Sequence, residues 1–91
     1  MAAREAYLAN LKRLRQIAQK RAMRFNRNWA RVRKVVTLMT DNHERYGLYF
    51  CPCKQKNTPP VKGTDVTCPC RDLSGEVRDI GRCYCRLFFA P

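Results

Sequence analysis

The chain has 91 residues, 45% of them apolar, and a formal net charge of +12 from 19 Lys and Arg against 7 Asp and Glu. That length supports one small domain burying only about 60–65% of its unfolded surface, so a covalent or metal staple is expected. No stretch approaches the roughly 20 apolar residues of a membrane span, and no apolar h-region marks a secretory signal. A reducing, cytoplasmic setting follows, where a three-disulfide framework would be out of place.

The charge is uneven. Residues 1–40 carry eleven Lys and Arg and one acid, Glu5. Such a surface attracts polyanions and acidic proteins, and charge alone does not separate nucleic acid from an acidic electron-transfer protein. From about Arg4 to Phe25, Tyr7, Leu11, Leu14, Ala18 and Ala22 recur at helical spacing, with Leu8 and Ile17 widening the stripe. Arg13, Arg15, Lys20, Arg21 and Arg24 fill much of the other side, which reads first as a solvated basic face. Asn26 or Asn28 can cap a second helix, whose stripe is Trp29, Val32, Val35, Val36 and Met39. Gly47 offers it a left-handed stop. Trp29 and Met39 are expected in the core, and His43, the only histidine, is given no site role.

Beyond Leu48 periodicity weakens. Thr58-Pro59-Pro60 and Gly63 force a loop. Residues 72–80 suggest a short helix interrupted at Ser74-Gly75, and Gly81 turns the chain again. The last apolar run, Arg86-Leu87-Phe88-Phe89, reads as an extended tail packed on the core. The expected architecture is a mainly α single domain. A basic amphipathic helix (residues 1–25) precedes a unit (residues 26–91) with a second helix, cysteine-bearing loops and short helices.

Six cysteines form three Cys-X-Cys pairs: Cys51-Pro-Cys53, Cys68-Pro-Cys70 and Cys83-Tyr-Cys85. Proline fixes its own φ and biases the preceding cysteine away from helix, so Cys-Pro-Cys is a rigid hook. Four thiolates complete a tetrahedral metal or an iron–sulfur site, and two remain, the number a redox disulfide needs. Zinc favours Cys-X₂-Cys knuckles, whereas iron–sulfur clusters tolerate irregular spacing, which ranks the cluster first and leaves both open.

The ordered pairs, ending in Cys85-Arg86-Leu87-Phe88-Phe89, resemble the catalytic (β) subunit family of ferredoxin:thioredoxin reductase and its prokaryotic relatives. The stretch from Val35 to Tyr49 running into the first hook is similar too, so the resemblance covers about residues 26–89. It implies a [4Fe–4S] cluster held by Cys51, Cys68, Cys70 and Cys83, with the protein wrapped around it. It also implies a redox disulfide between Cys53, the exposed nucleophile, and Cys85, which lies against the cluster. A ferredoxin or similar low-potential donor and a thioredoxin- or glutaredoxin-like target are implied as partners, with a second subunit or a homodimer compatible. Tyr84 departs from the family's usual histidine, and a phenol is a poor proton shuttle at neutral pH. Lys54, Arg71, Arg82 and Arg86 are expected to favour thiolates and an acidic donor.

Two other readings use the same residues: a zinc-stapled basic nucleic-acid-binding module, and a simple iron–sulfur electron-transfer protein with two inert cysteines. The basic stripe has no interleaved exposed aromatics, with Tyr7 and Trp29 expected inward, so base stacking is poorly provided for and nucleic acid is disfavoured.

Overall fold

A computed structural model of the chain describes residues 4–91. Helix α1 (Arg4–Lys20) has Glu5 in its first turn and Lys20 in its last, each matching the sign of the helix end. It turns Leu14 and Ala18 inward onto Val32, Val35, Val36 and Met39 of α2 (Trp29–Tyr46). Leu8 stands 48% exposed, outside the stripe expected to include it, whereas Tyr7, Leu11 and Ile17 pack on the core.

The first helix ends five residues earlier than its apolar spacing suggests. Ala22 takes a left-handed φ of 54°, the Met23 N–H reaches the Ala18 carbonyl at 2.8 Å, and the Ala22 N–H reaches that of Gln19 at 3.3 Å. This is a Schellman stop made without glycine, hence without its usual sequence signal. The chain then extends, and Arg24–Phe25 (β1) pairs antiparallel with Phe88–Phe89 (β2), Arg24 opposite Phe89 and Phe25 opposite Phe88.

Both asparagines ahead of α2 are used. The Asn28 side chain caps the helix, accepting from the Ala30 and Arg31 N–H groups, and the Asn26 side chain accepts the Asn28 N–H. Gly47, at φ 81°, closes α2 by donating to the His43 carbonyl. Trp29 does not join the core: it is 52% exposed in the first turn, with its ring edge-on to Phe25 at 6.2 Å.

Residues 48–72 carry no named helix or strand, but an isolated antiparallel bridge joins Phe50 and Thr67. Around it the Cys51 N–H donates to Val66 and the Cys68 N–H to Tyr49, which lays the first two hooks side by side. The intervening loop is organised by the buried Asp65 carboxylate, which accepts from the backbone N–H groups of Lys56, Asn57 and Val61 and from the Asn57 side chain. The second hook leads directly into α3 (Leu73–Ile80), which runs unbroken through Ser74-Gly75 and buries Leu73 and Val77. Ser74 and Gly75 fall in its first turn, where an interruption has little helix to break. Gly81 stops it at φ 81°. The third pair occupies a tight reversal: Arg86 adopts φ 60°, its N–H reaches the Cys83 carbonyl, and the Cys83 N–H pairs with Phe88. The fold is thus a small single domain, about half helical, in which α3 alone follows the two long helices among the described residues.

Candidate functional site

Two backbone arrangements bring the cysteines together. Hooks one and two lie side by side through their backbone bridge, and the third pair is delivered by the turn that β2 holds against β1. Cys51, Cys68, Cys70, Cys83 and Cys85 all line one cavity of about 290 Å³, which includes space open to solvent. Met39, Leu73, Leu87 and Phe88 supply its apolar walls. Cys53 is absent from that lining. It faces a neighbouring open groove with Lys56, Thr64 and Val66, and Lys54 and Tyr84 border both spaces. All six cysteines carry free thiols.

The sulfurs differ electrostatically. Hydrogen bonding with Cys85 pulls Cys83 down to about 6 and Cys51 down to about 7, against the opposing effect of burial. Cys85 is pushed strongly upward by its bonds to Cys51 and Cys83, with burial adding to them. One proton therefore belongs on Cys85, shared toward two sulfurs that accept it. Burial, reinforced by the nearby Cys51, raises Cys68 to about 12. Main-chain donors surround the accepting sulfurs, and the Phe88 N–H lies 3.4 Å from Cys83 Sγ. Such N–H···S contacts are among the means by which a protein sets the electronics of thiolate-bound metal.

A thiolate-ligated cluster needs four cysteines around one enclosed, largely apolar volume, with N–H donors on the sulfurs. Five cysteines, Cys51, Cys68, Cys70, Cys83 and Cys85, line such a space, one more than the group needs, and Cys83 carries a main-chain N–H donor. They stand around a space, not at a point: among the described residues no three His, Cys, Asp or Glu side chains form a single-ion group.

Several partners of the cysteines lie far away in sequence. Arg31 of α2 donates through Nε to the Cys85 carbonyl at 3.1 Å and through Nη2 to Cys53 Sγ at 3.5 Å, so one side chain touches both members of the expected redox pair. Arg13 of α1 donates to the Cys68 carbonyl at 2.8 Å. Lys54 Nζ lies 3.3 Å from Cys70 Sγ and 2.7 Å from Glu76 Oε2, and Glu76 Oε1 accepts the Tyr84 N–H. Burial alone would lower Lys54, but its contacts with Glu76 and Cys70 outweigh that and raise it, so it stays charged. Of the four basic residues expected near the cysteines, Lys54 makes a sulfur contact. The Arg13, Arg31 and Glu76 contacts had no counterpart in the sequence reading. The one available signal was Asn10: it falls three after Tyr7 and four before Leu14, and a polar side chain within an apolar stripe asks for buried partners such as Arg13.

Tyr84 is 60% exposed, with Lys54 Nζ 6.0 Å from its ring centre. His43 stacks on Tyr49, ring centres 4.0 Å apart, which is a packing role. Among the described residues no helix is long and apolar enough to cross a membrane.

No match is found among curated proteins or among solved structures. The family described as ferredoxin thioredoxin reductase catalytic beta chain matches residues 2–91. Its reach includes α1, which the resemblance read from the cysteine motifs left out. With nearly the whole chain matched, the protein belongs to this family of catalytic subunits of a disulfide oxidoreductase.

Proposed function

We propose that the chain is a ferredoxin-dependent disulfide reductase that holds a [4Fe–4S] cluster on Cys51, Cys68, Cys70 and Cys83 and uses Cys53 and Cys85 as its redox pair. The observation that carries this reading is the division of the cysteines: five line one cavity, and Cys53, the one outside it, faces a neighbouring open groove. The groove gives a target disulfide a route to Cys53.

When bound, the cluster supplies one-electron storage beside the pair, so that single electrons from a low-potential donor add up to the two a disulfide needs. The residues of the chain do the rest. In the dithiol state Cys53 attacks one sulfur of the target disulfide; a Cys53–target bond forms and the second target sulfur leaves as a thiolate. Cys85, its proton passing to the target thiolate just released, then attacks Cys53 Sγ and expels the other target sulfur. The target leaves with both cysteines reduced, and the chain is left with a Cys53–Cys85 disulfide. Two electrons and two protons regenerate the dithiol. Arg31 serves both ends of this exchange: anchored on the Cys85 carbonyl, it points a charge-assisted donor at Cys53 Sγ, a contact that strengthens as negative charge develops there. The apolar walls of Leu73, Leu87 and Phe88 keep bulk water from the inner sulfurs.

The energetics need no nucleotide. From a donor at about −400 mV to a thioredoxin at about −270 mV, two electrons release roughly 6 kcal/mol. The +12 charge suits an acidic donor such as a ferredoxin. A thioredoxin- or glutaredoxin-like protein is the target class, and the cytoplasm is the compartment.

Anaerobic purification with iron, sulfide and zinc analysis tests the cofactor. About four irons per chain and broad absorption near ~400 nm are expected of such a cluster; one zinc and no colour would sink the proposal. Cys53→Ser should reduce disulfide reduction to background with iron content intact. Loss of iron in that variant would overturn the ligand assignment.

A further inference from the structure

Arg13 belongs to the helix whose basic residues read as a solvated face, yet its guanidinium turns inward and ends on a cysteine hook. Nη1 donates to the Cys68 carbonyl at 2.8 Å. The N–H of the same cysteine donates to the Tyr49 carbonyl, also at 2.8 Å, and the Arg13 guanidinium lies 3.9 Å over the Tyr49 ring. Both polar main-chain groups of Cys68 are thus fixed through a single assembly of Arg13 and Tyr49.

The guanidinium is itself held in place. Nε and Nη2 donate to Asn10 Oδ1 at 3.2 and 3.0 Å, and Nη2 lies 3.4 Å from Met39 Sδ. Asn10 is fully buried and donates onward to Thr40 Oγ1 at 3.0 Å. All the partners of Arg13 are neutral. Among the described residues no carboxylate forms an ion pair with it. A half-buried cation without an acid is costly unless an anion lies close by. The thiolates of a ligand set one peptide away are such an anion.

We infer that Arg13 is a positioning residue for the second cysteine hook: its planar fork locks the Cys68 peptide and sets a fixed positive charge beside the sulfurs. This rests on the reading above in which Cys68 and Cys70 are cluster ligands. It gives α1 a function beyond packing, since the helix delivers an arginine to the cofactor's second layer of contacts. Lysine, a point charge without the fork, would supply the charge but not the lock.

The experiment uses the full chain, loaded anaerobically, as wild type, Arg13→Met, Arg13→Lys and Thr40→Val. The readouts are iron release to a chelator, the midpoint potential of the bound iron, and Tm. Arg13→Met should release iron about 10–100-fold faster, the usual cost of losing such an outer contact. Its midpoint potential should fall, because a removed positive charge no longer favours the added electron. Arg13→Lys should keep the potential near wild type yet still release iron faster. Thr40→Val, which cuts the same polar network at its far end, should lower Tm and leave both iron readouts unchanged. Wild-type iron release and potential in Arg13→Met would overturn the inference, as would Thr40→Val matching Arg13→Met in both. If Arg13→Met does not fold, Arg13→Lys decides alone: wild-type iron release there refutes the lock. A wild-type chain that takes up no iron refutes the proposed function, and the inference with it; a loaded wild type with indifferent Arg13 variants refutes the inference alone.

Discussion

Residues 4–47 spend most of their length in two helices with backbone-closed ends and a shared apolar seam of Leu14, Val32, Val36 and Met39. Residues 48–72 contain no named helix or strand, and two isolated bridges (Phe50 with Thr67, Lys62 with Asp65), one buried carboxylate and the two hooks organise them. The first region is ordered by burial, which is local and cumulative. In the second, few apolar side chains are buried, so its order depends on polar contacts and on whatever joins the sulfurs. A small chain can therefore keep a firm scaffold beside a segment whose structure is coupled to the cofactor proposed above.

The largest effect expected from this contrast is the response to iron removal. Chelation under reducing conditions should cost residues 48–72 their amide-exchange protection while the α2 amides keep most of theirs; equal loss in both regions would break the comparison. Next comes the seam. Leu14→Ala empties a fully buried site and should cost about 2–5 kcal/mol in denaturant unfolding, with iron content unchanged below the transition. Asn28→Ala removes the α2 cap and should cost about 1 kcal/mol in the same measurement. The smallest effect is acid sensitivity of the loop. Backbone donors, Lys56 first and then Val61, hold Asp65 at about 2, below its ordinary 3.8. A depressed carboxyl contributes its full stability above about pH 4 and loses it as pH falls through about 2. The protection factors of the Lys56, Asn57 and Val61 amides, taken against their intrinsic exchange rates, should fall across that window in the wild type, and Asp65→Asn should already show the lower protection at neutral pH.

The same contrast explains what the sequence discloses. The α2 stripe and both of its ends were legible because helical spacing, asparagine caps and Gly47 are local signals. The end of α1 was not, because Ala22 takes a left-handed conformation where glycine is usual, and Arg24–Phe25 is drawn into a strand by partners more than 60 residues away. Trp29 fits the stripe by spacing, yet its place in the first turn leaves it at the edge, against Phe25. The cysteines advertised themselves by count and pairing. Their neighbours did not: Arg31 reaches Cys53 across 22 residues and Arg13 reaches the Cys68 carbonyl across 55, distances over which no pattern in the chain couples the two ends.

The pairing of β1 with β2 has a consequence for biogenesis. On the ribosome α1 and α2 emerge before the cysteine pairs and can dock at once, since their contacts are close in sequence. The Phe88 amide that meets Cys83, and the Leu87 and Phe88 side chains that wall the cavity, follow all six cysteines along the chain. The sulfurs therefore leave the ribosome before the residues that cover them, and a nascent chain halted between Cys85 and Leu87 would carry its thiols uncovered.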